Sequence, residues 1–128
     1  MPHFRIEYSA NLAGRVDMSA FCRAMKAAIV STGLFELGAV RVRAFCADDY
    51  AVADELVENA FIDIVFRVGQ GRSQQDLKKA GDAIFAAAND ALKPLFATPH
   101  FALSLSIEEI NGALSWKNNA MHARLRGK

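Results

Sequence analysis

The chain has 128 residues, a formal net charge of +1, 52% hydrophobic residues and 23% charged ones. That balance excludes a disordered polyampholyte and gives no strong field for a polyanion such as nucleic acid. No apolar run approaches the ~18 residues of a membrane span, and no basic start with an apolar core marks a secretory leader, so one cytoplasmic domain over residues 1–128 is expected.

The chain begins Met1-Pro2-His3-Phe4. Proline lacks a backbone N–H, which costs little at the first residue of a strand. If Met1 is removed, Pro2 instead becomes a secondary amine, which is a base. Phe4, Ile6 and Tyr8 then alternate with Arg5 and Glu7, the pattern of a half-buried strand. Asn11 to Val16 reads as a turn. Asp17 can cap a helix whose apolar stripe is Phe21, Met25, Ala28 and Ile29, closed by Gly33. "AVRVRAFC" is a second strand with Arg41, Arg43 and Phe45 on one side and Val40, Val42 and Ala44 on the other.

Residues 47–58 form an acidic connection, with five acids and no base from Asp48 to Glu58. "NAFIDIVFRVG" is a third strand, apolar enough for the centre of a sheet. "GQGRS" leads into a helix from Ser73 to Leu92 with Asp76 at the capping-box position. Its stripe is Leu77, Ala80, Ile84, Ala87, Ala88 and Ala91. Pro94 and Pro99 bracket a short loop, and "HFALSLSIEEI" is a fourth strand. The rest is a basic tail with one short apolar piece. Strand–helix–strand thus occurs twice, predicting a four-stranded mixed sheet with two helices on one face. The second sheet face is expected to be largely apolar and covered by another subunit.

Candidate chemistry is sparse. His3, His100 and His122 have no metal-ligand spacing, and Cys22 and Cys46 have neither CxxC spacing nor a histidine close by in sequence. "GQGRS" either is simply a turn or presents a helix N-terminus and the Arg72 fork to a carboxylate. Arg41 and Arg43 either lie in solvent at a sheet edge or form a cationic wall for an anion.

Together, an early proline, the strand arginines and "GQGR" before the second helix resemble the tautomerase superfamily. "MPHFRIEYSANL", "STGLFELGAVRVRA", "FIDIVFRVGQGRS" and "LSLSIEEI…LSWKNNAMHARL" are similar to successive segments of its 5-carboxymethyl-2-hydroxymuconate isomerase family. The resemblance implies an α+β, β-α-β-β-α-β subunit in a homotrimer with sites at subunit boundaries. It implies cofactor-free enol–keto isomerisation of a polycarboxylated muconate in homoprotocatechuate breakdown. It further implies Pro2 as proton carrier, Arg72 beside the reacting oxygen, and Arg41, from a neighbouring subunit, holding another carboxylate, with Arg43 as the alternate. Other readings are a trimer acting on a related 2-hydroxymuconate-type acid and an inactive scaffold of the same fold. The element order also matches an RNA-recognition motif, but the basic-Gly-aromatic start of that signature is missing.

Overall fold

The structure is a computed structural model and describes residues 1–127. Strand β1 (His3–Ser9) leads through a 3-10 turn (Ala10–Leu12) to helix α1 (Met18–Ser31) and strand β2 (Arg41–Ala47). Strand β3 (Ala60–Gly69), helix α2 (Gln74–Ala91) and strand β4 (Phe101–Ile110) repeat the unit, and a short helix α3 (Ala120–Arg126) ends the chain. The sheet order is β2-β1-β3-β4. The β1/β2 and β3/β4 pairs are parallel, and the two halves meet antiparallel through β1 and β3.

The starts and stops follow local chemistry. Asp17 accepts from the Ala20 amide at 3.0 Å, and Ser73 accepts from the Asp76 amide at 3.0 Å. These side chains satisfy N–H groups that a helix start leaves unpaired. The Asp76 side chain does not complete the reciprocal half of a capping box. After α1 the chain turns at Gly33, whose φ of +77° is the left-handed conformation glycine adopts without strain.

The core lies between the sheet and α1 and α2. Phe4, Ile6, Ile62, Ile64 and Phe66 project from the central strands onto Met25, Ile29, Ile84 and Ala88. Phe66 is fully buried and meets Phe4 and Phe35 with ring centroids 5.3 Å apart in each pair. Ala91, expected in the α2 stripe, is exposed, because the last turn of the helix rotates it past the sheet and Leu92 is buried instead.

Three expectations are corrected. The second sheet face is not apolar: the register places His3, Arg5, Glu7, Arg41, Arg43, Asp63, Arg67 and Glu108 on it. The runs in β1 to β3 look continuous only because Phe45, Phe61 and Val65 are interspersed with those charges. The basic tail forms a third helix, capped by Asn119, which accepts from the Met121 amide at 3.0 Å. The segment between Pro94 and Pro99 is largely a 3-10 turn, Lys93–Ala97.

The acidic connection is pinned rather than loose. Buried Asn59 donates to Val52 O at 3.1 Å and to Asp54 Oδ1 at 2.7 Å, while Asn11 Nδ2 donates to Asn59 O at 2.8 Å. Ala53 and Glu55 adopt positive φ, of 52° and 63°, within this loop.

Candidate active site

Pro2 is buried at the entrance of β1, and its carbonyl accepts from the Arg41 amide at 3.2 Å. This hydrogen bond extends the β1/β2 ladder by one step and fixes the chain start at the end of the sheet. The neighbouring strand β3 ends there too, at Gly69. Gly71 has φ +116°, a conformation closed to residues with a Cβ, and the chain it reverses carries Arg72 back over the sheet end. Arg72 Nε and Nη2 donate to Leu34 O at 3.3 and 3.0 Å, and Nη1 donates to Gly69 O at 3.3 Å. The guanidinium therefore bridges the loop after α1 and the end of β3, and no carboxylate neutralises it among the described residues.

Pro2, Leu34, Phe35 and Ala39 floor a cleft of about 610 Å³, and Arg72 forms one wall. Met1 and Glu36 also line it, and the C-terminal segment supplies the rest: Lys117, Asn119, His122, Ala123 and Arg126. That segment is tied down at both ends. Gly112 N donates to Gln70 Oε1 at 3.1 Å, and Asn119 Nδ2 donates to Gly38 O at 2.8 Å. Arg126 grips Glu36 with two nitrogens, Nε at 2.7 Å from Oε2 and Nη2 on Oε1. The His122 Nδ1 is buried 3.6 Å from the same carboxylate, beyond hydrogen-bond reach.

Charge in the cleft is lopsided. Glu36 is its one carboxylate, and Arg126 occupies it, holding its carboxyl below the usual range. Arg72 and Lys117 remain uncompensated. The Met1 α-amino group has its pKa lowered, first by burial, then by Lys117, Arg72 and Arg41. The arrangement disfavours the protonated form of an amine here and sets it beside two cations that attract a polyanion.

Of the residues singled out from sequence, Pro2 and Arg72 share this cleft. Arg41 and Arg43 do not line it. The Arg41 guanidinium donates to Ala39 O at 2.7 Å. Arg43 lies on the charged sheet face, 3.2 Å from His3 Nδ1, where burial and then Arg5, Arg67 and Arg41 lower its pKa. Lys117, Asn119 and Phe35 were missed. Asn119 offered a signal as a helix cap before "AMHARL"; Lys117 offered only its place in a basic tail.

A groove of about 670 Å³ lies elsewhere, between α2 and the edge strand β4, floored by Leu77, Gly81, Phe85, Leu105 and Ile107. Its Lys78 and Asp82 neutralise each other at 2.7 Å, and Glu109 is its remaining ionisable group. Among the described residues no three His, Cys, Asp or Glu side chains gather to hold a metal ion, and no helix is long and apolar enough to cross a membrane.

Paired β-α-β halves with a proline at the first strand entrance define a subunit of the tautomerase superfamily. At the level of fold alone, a solved structure described as a fused 4-OT wild type symmetric trimer matches with a TM-score of 0.67 at 19% identity, covering 91% of this chain and 93% of that one. Closer likenesses narrow the class. The family model for 5-carboxymethyl-2-hydroxymuconate isomerase matches residues 2–125. A curated 5-carboxymethyl-2-hydroxymuconate Delta-isomerase from Escherichia coli is 30% identical over 123 residues, covering 96% of this chain and 98% of that one. The crystal structure of a 5-carboxymethyl-2-hydroxymuconate isomerase from Deinococcus radiodurans R1 is 33% identical with a TM-score of 0.91, covering 98% and 94%. The chain belongs to the 5-carboxymethyl-2-hydroxymuconate isomerase family.

Proposed function

We propose that the chain converts the dienol 5-carboxymethyl-2-hydroxymuconate to its 2-oxo isomer, with the Pro2 nitrogen as proton carrier, in the cytoplasmic breakdown of homoprotocatechuate. The single observation that carries this reading is the convergence of the chain start and Arg72 in one cleft with no free carboxylate among the described residues.

The proton balance is simple. With Met1 removed, Pro2 is a neutral secondary amine and takes the proton of the 2-hydroxyl. The electrons of that O–H bond form the 2-oxo group while the diene shifts. The protonated ring nitrogen then returns the proton to carbon at the far end of the diene. Arg72 faces the carboxylate and the 2-oxygen, where negative charge grows, and its backbone anchors hold it ready at no cost of reorganisation.

Arg41 holds a further carboxylate, and it does so in the site of a neighbouring subunit of a homotrimer. Two features support assembly: the apolar groove beside β4, and the outer edge of that strand, which has no partner within the chain.

The test is the chain start itself. With Met1 retained, the Pro2 nitrogen is a tertiary amide without a basic lone pair. A preparation shown by mass spectrometry to begin at Pro2 should ketonise the substrate. A Met1-retaining preparation should fold alike and lose ~10²–10⁴-fold in kcat/KM, the usual contribution of a general base. Equal activity in both would overturn the mechanism.

A further inference from the structure

Muconate is a dicarboxylate, and a carboxymethyl arm adds a third carboxylate. A carboxylate taken out of water needs compensating hydrogen bonds, and a cation supplies the strongest of them. On the reading above, Arg72 and a neighbour's Arg41 answer for two. Within the cleft Arg126 is not available, since Glu36 already holds it through two contacts. Lys117 is the cation left over: it lines the cleft with Pro2 and Arg72 and has no acidic partner among the described residues.

The backbone around Lys117 explains why it stays there. Gln70 ties the tail at Gly112 on one side, and Gly38 ties it at Asn119 on the other. Gln70 belongs to the same turn as Arg72, so the two cations are referenced to one piece of chain. Lysine suits such a post, as a point charge on a flexible stem that follows a mobile carboxymethyl arm, whereas the bridged Arg72 fork is fixed.

We propose that Lys117 is the specificity residue of the cleft, binding the carboxymethyl carboxylate and thereby selecting tricarboxylic over dicarboxylic dienols. This rests on the reading of the cleft as a proline-based isomerase site. A second consequence comes from the same contact. Lys117 shares the cleft with Pro2 and lowers the pKa of the amine on Met1, the residue just before it. A carboxylate seated on Lys117 cancels part of that charge, so the bound substrate makes its own base stronger.

The experiment compares Lys117→Met and Lys117→Arg with the parent, each processed to Pro2, on 5-carboxymethyl-2-hydroxymuconate and on 2-hydroxymuconate. In Lys117→Met the ratio of kcat/KM between the two substrates should fall about 10- to 100-fold, the range for a hydrogen bond to a charged group, mostly through KM. Lys117→Arg should restore much of the ratio. The ionisation seen in kcat/KM of Lys117→Met should move to higher pH, which a merely structural role would not cause. An equal loss on both substrates, or no loss on either, would overturn the proposal. If the parent ketonises neither compound, the isomerase reading fails and Lys117 is judged by calorimetry with propane-1,2,3-tricarboxylate and glutarate. Loss of tricarboxylate preference in Lys117→Met would then support it, and unchanged preference would overturn it.

Discussion

The Arg72 guanidinium carbon lies 4.3 Å above the centre of the Phe35 ring. Stacking of this kind, added to the carbonyl contacts with Leu34 and Gly69, fixes a planar cation in one orientation. Lysine has no flat face to stack on the ring and no fork to span both carbonyls. Arg72→Lys should therefore fail almost as badly as Arg72→Ala, each losing about 10²–10³-fold in kcat with KM also raised. Phe35→Leu keeps the charge and loosens its orientation, and should show a smaller loss. Steady-state kinetics on the three variants check the ranking; a fully active Arg72→Lys would mean that charge alone matters.

The pH dependence has a definite sign. Burial, Lys117, Arg72 and Arg41 all lower the pKa of the Met1 amine, and Pro2, buried one residue further in, lines the same cleft. On the proposed mechanism the neutral Pro2 amine is the active form. Activity should be full above the depressed pKa and be lost as pH falls through it. In a pH series, kcat/KM should rise through one ionisation lying below that of an ordinary secondary amine, and Arg72→Ala should move that ionisation upward.

Docking of α3 should depend on Glu36. Its pKa is lowered through its hydrogen bonds to Arg126, so its grip is complete above the ordinary glutamate range and is lost as pH falls through the depressed value. Amide exchange in residues 120–126 should accelerate over that window. Gly38→Ala should give the same loosening at neutral pH, because a Cβ there would meet His122 Nδ1 at 3.1 Å and Leu125 Cδ1 at 3.3 Å. Unaltered exchange in Gly38→Ala would show that the helix can slide without cost.

Asn59→Ala removes a hub. Its side chain donates to Val52 O and Asp54 Oδ1 and meets His100 Nδ1 at 3.1 Å through Oδ1. Leaving such groups unpaired in a buried spot should cost about 1–3 kcal/mol, read as a lower midpoint in urea. The cleft lies at the other end of β1, so turnover of the folded fraction should hardly change.

Sites shared between subunits, as proposed above, predict complementation. Light scattering should give the mass of a trimer. Arg41→Ala alone should raise KM more than it lowers kcat. Co-refolding it with a Met1-retaining chain should regain part of the activity that the two lack separately, since some sites then combine an intact Pro2 with an intact Arg41. No regain on mixing would return Arg41 to its own subunit or remove it from the site.

Much of this was legible in the sequence because it is periodic or punctuated. The alternation of Phe4, Ile6 and Tyr8, the caps Asp17 and Ser73, and the glycines at 33 and 71 each act within a few residues of themselves. Pro2 and Arg72 could be paired only through family resemblance, since strand order alone decides that β1 and β3 end side by side. The charged sheet face is not legible strand by strand, because Arg5, Arg43 and Arg67 come together only across the register. Lys117 was invisible for a related reason: its position depends on hydrogen bonds to Gln70 and Gly38, more than forty residues upstream.

The antiparallel meeting of β1 and β3 relates the two halves by a local twofold, so the fold has two equivalent strand entrances. Pro2 precedes one and Asn59 the other. A polypeptide joined through both halves has only one beginning, and Asn59 lies in mid-chain. The second entrance can never offer a terminal amine, whatever residue is placed there. Its polar capacity is turned inward instead, clasping the crossover between the halves. Equivalent entrances are thus put to different uses: one sets Pro2 in the cleft, while the other pins the crossover loop through Asn59.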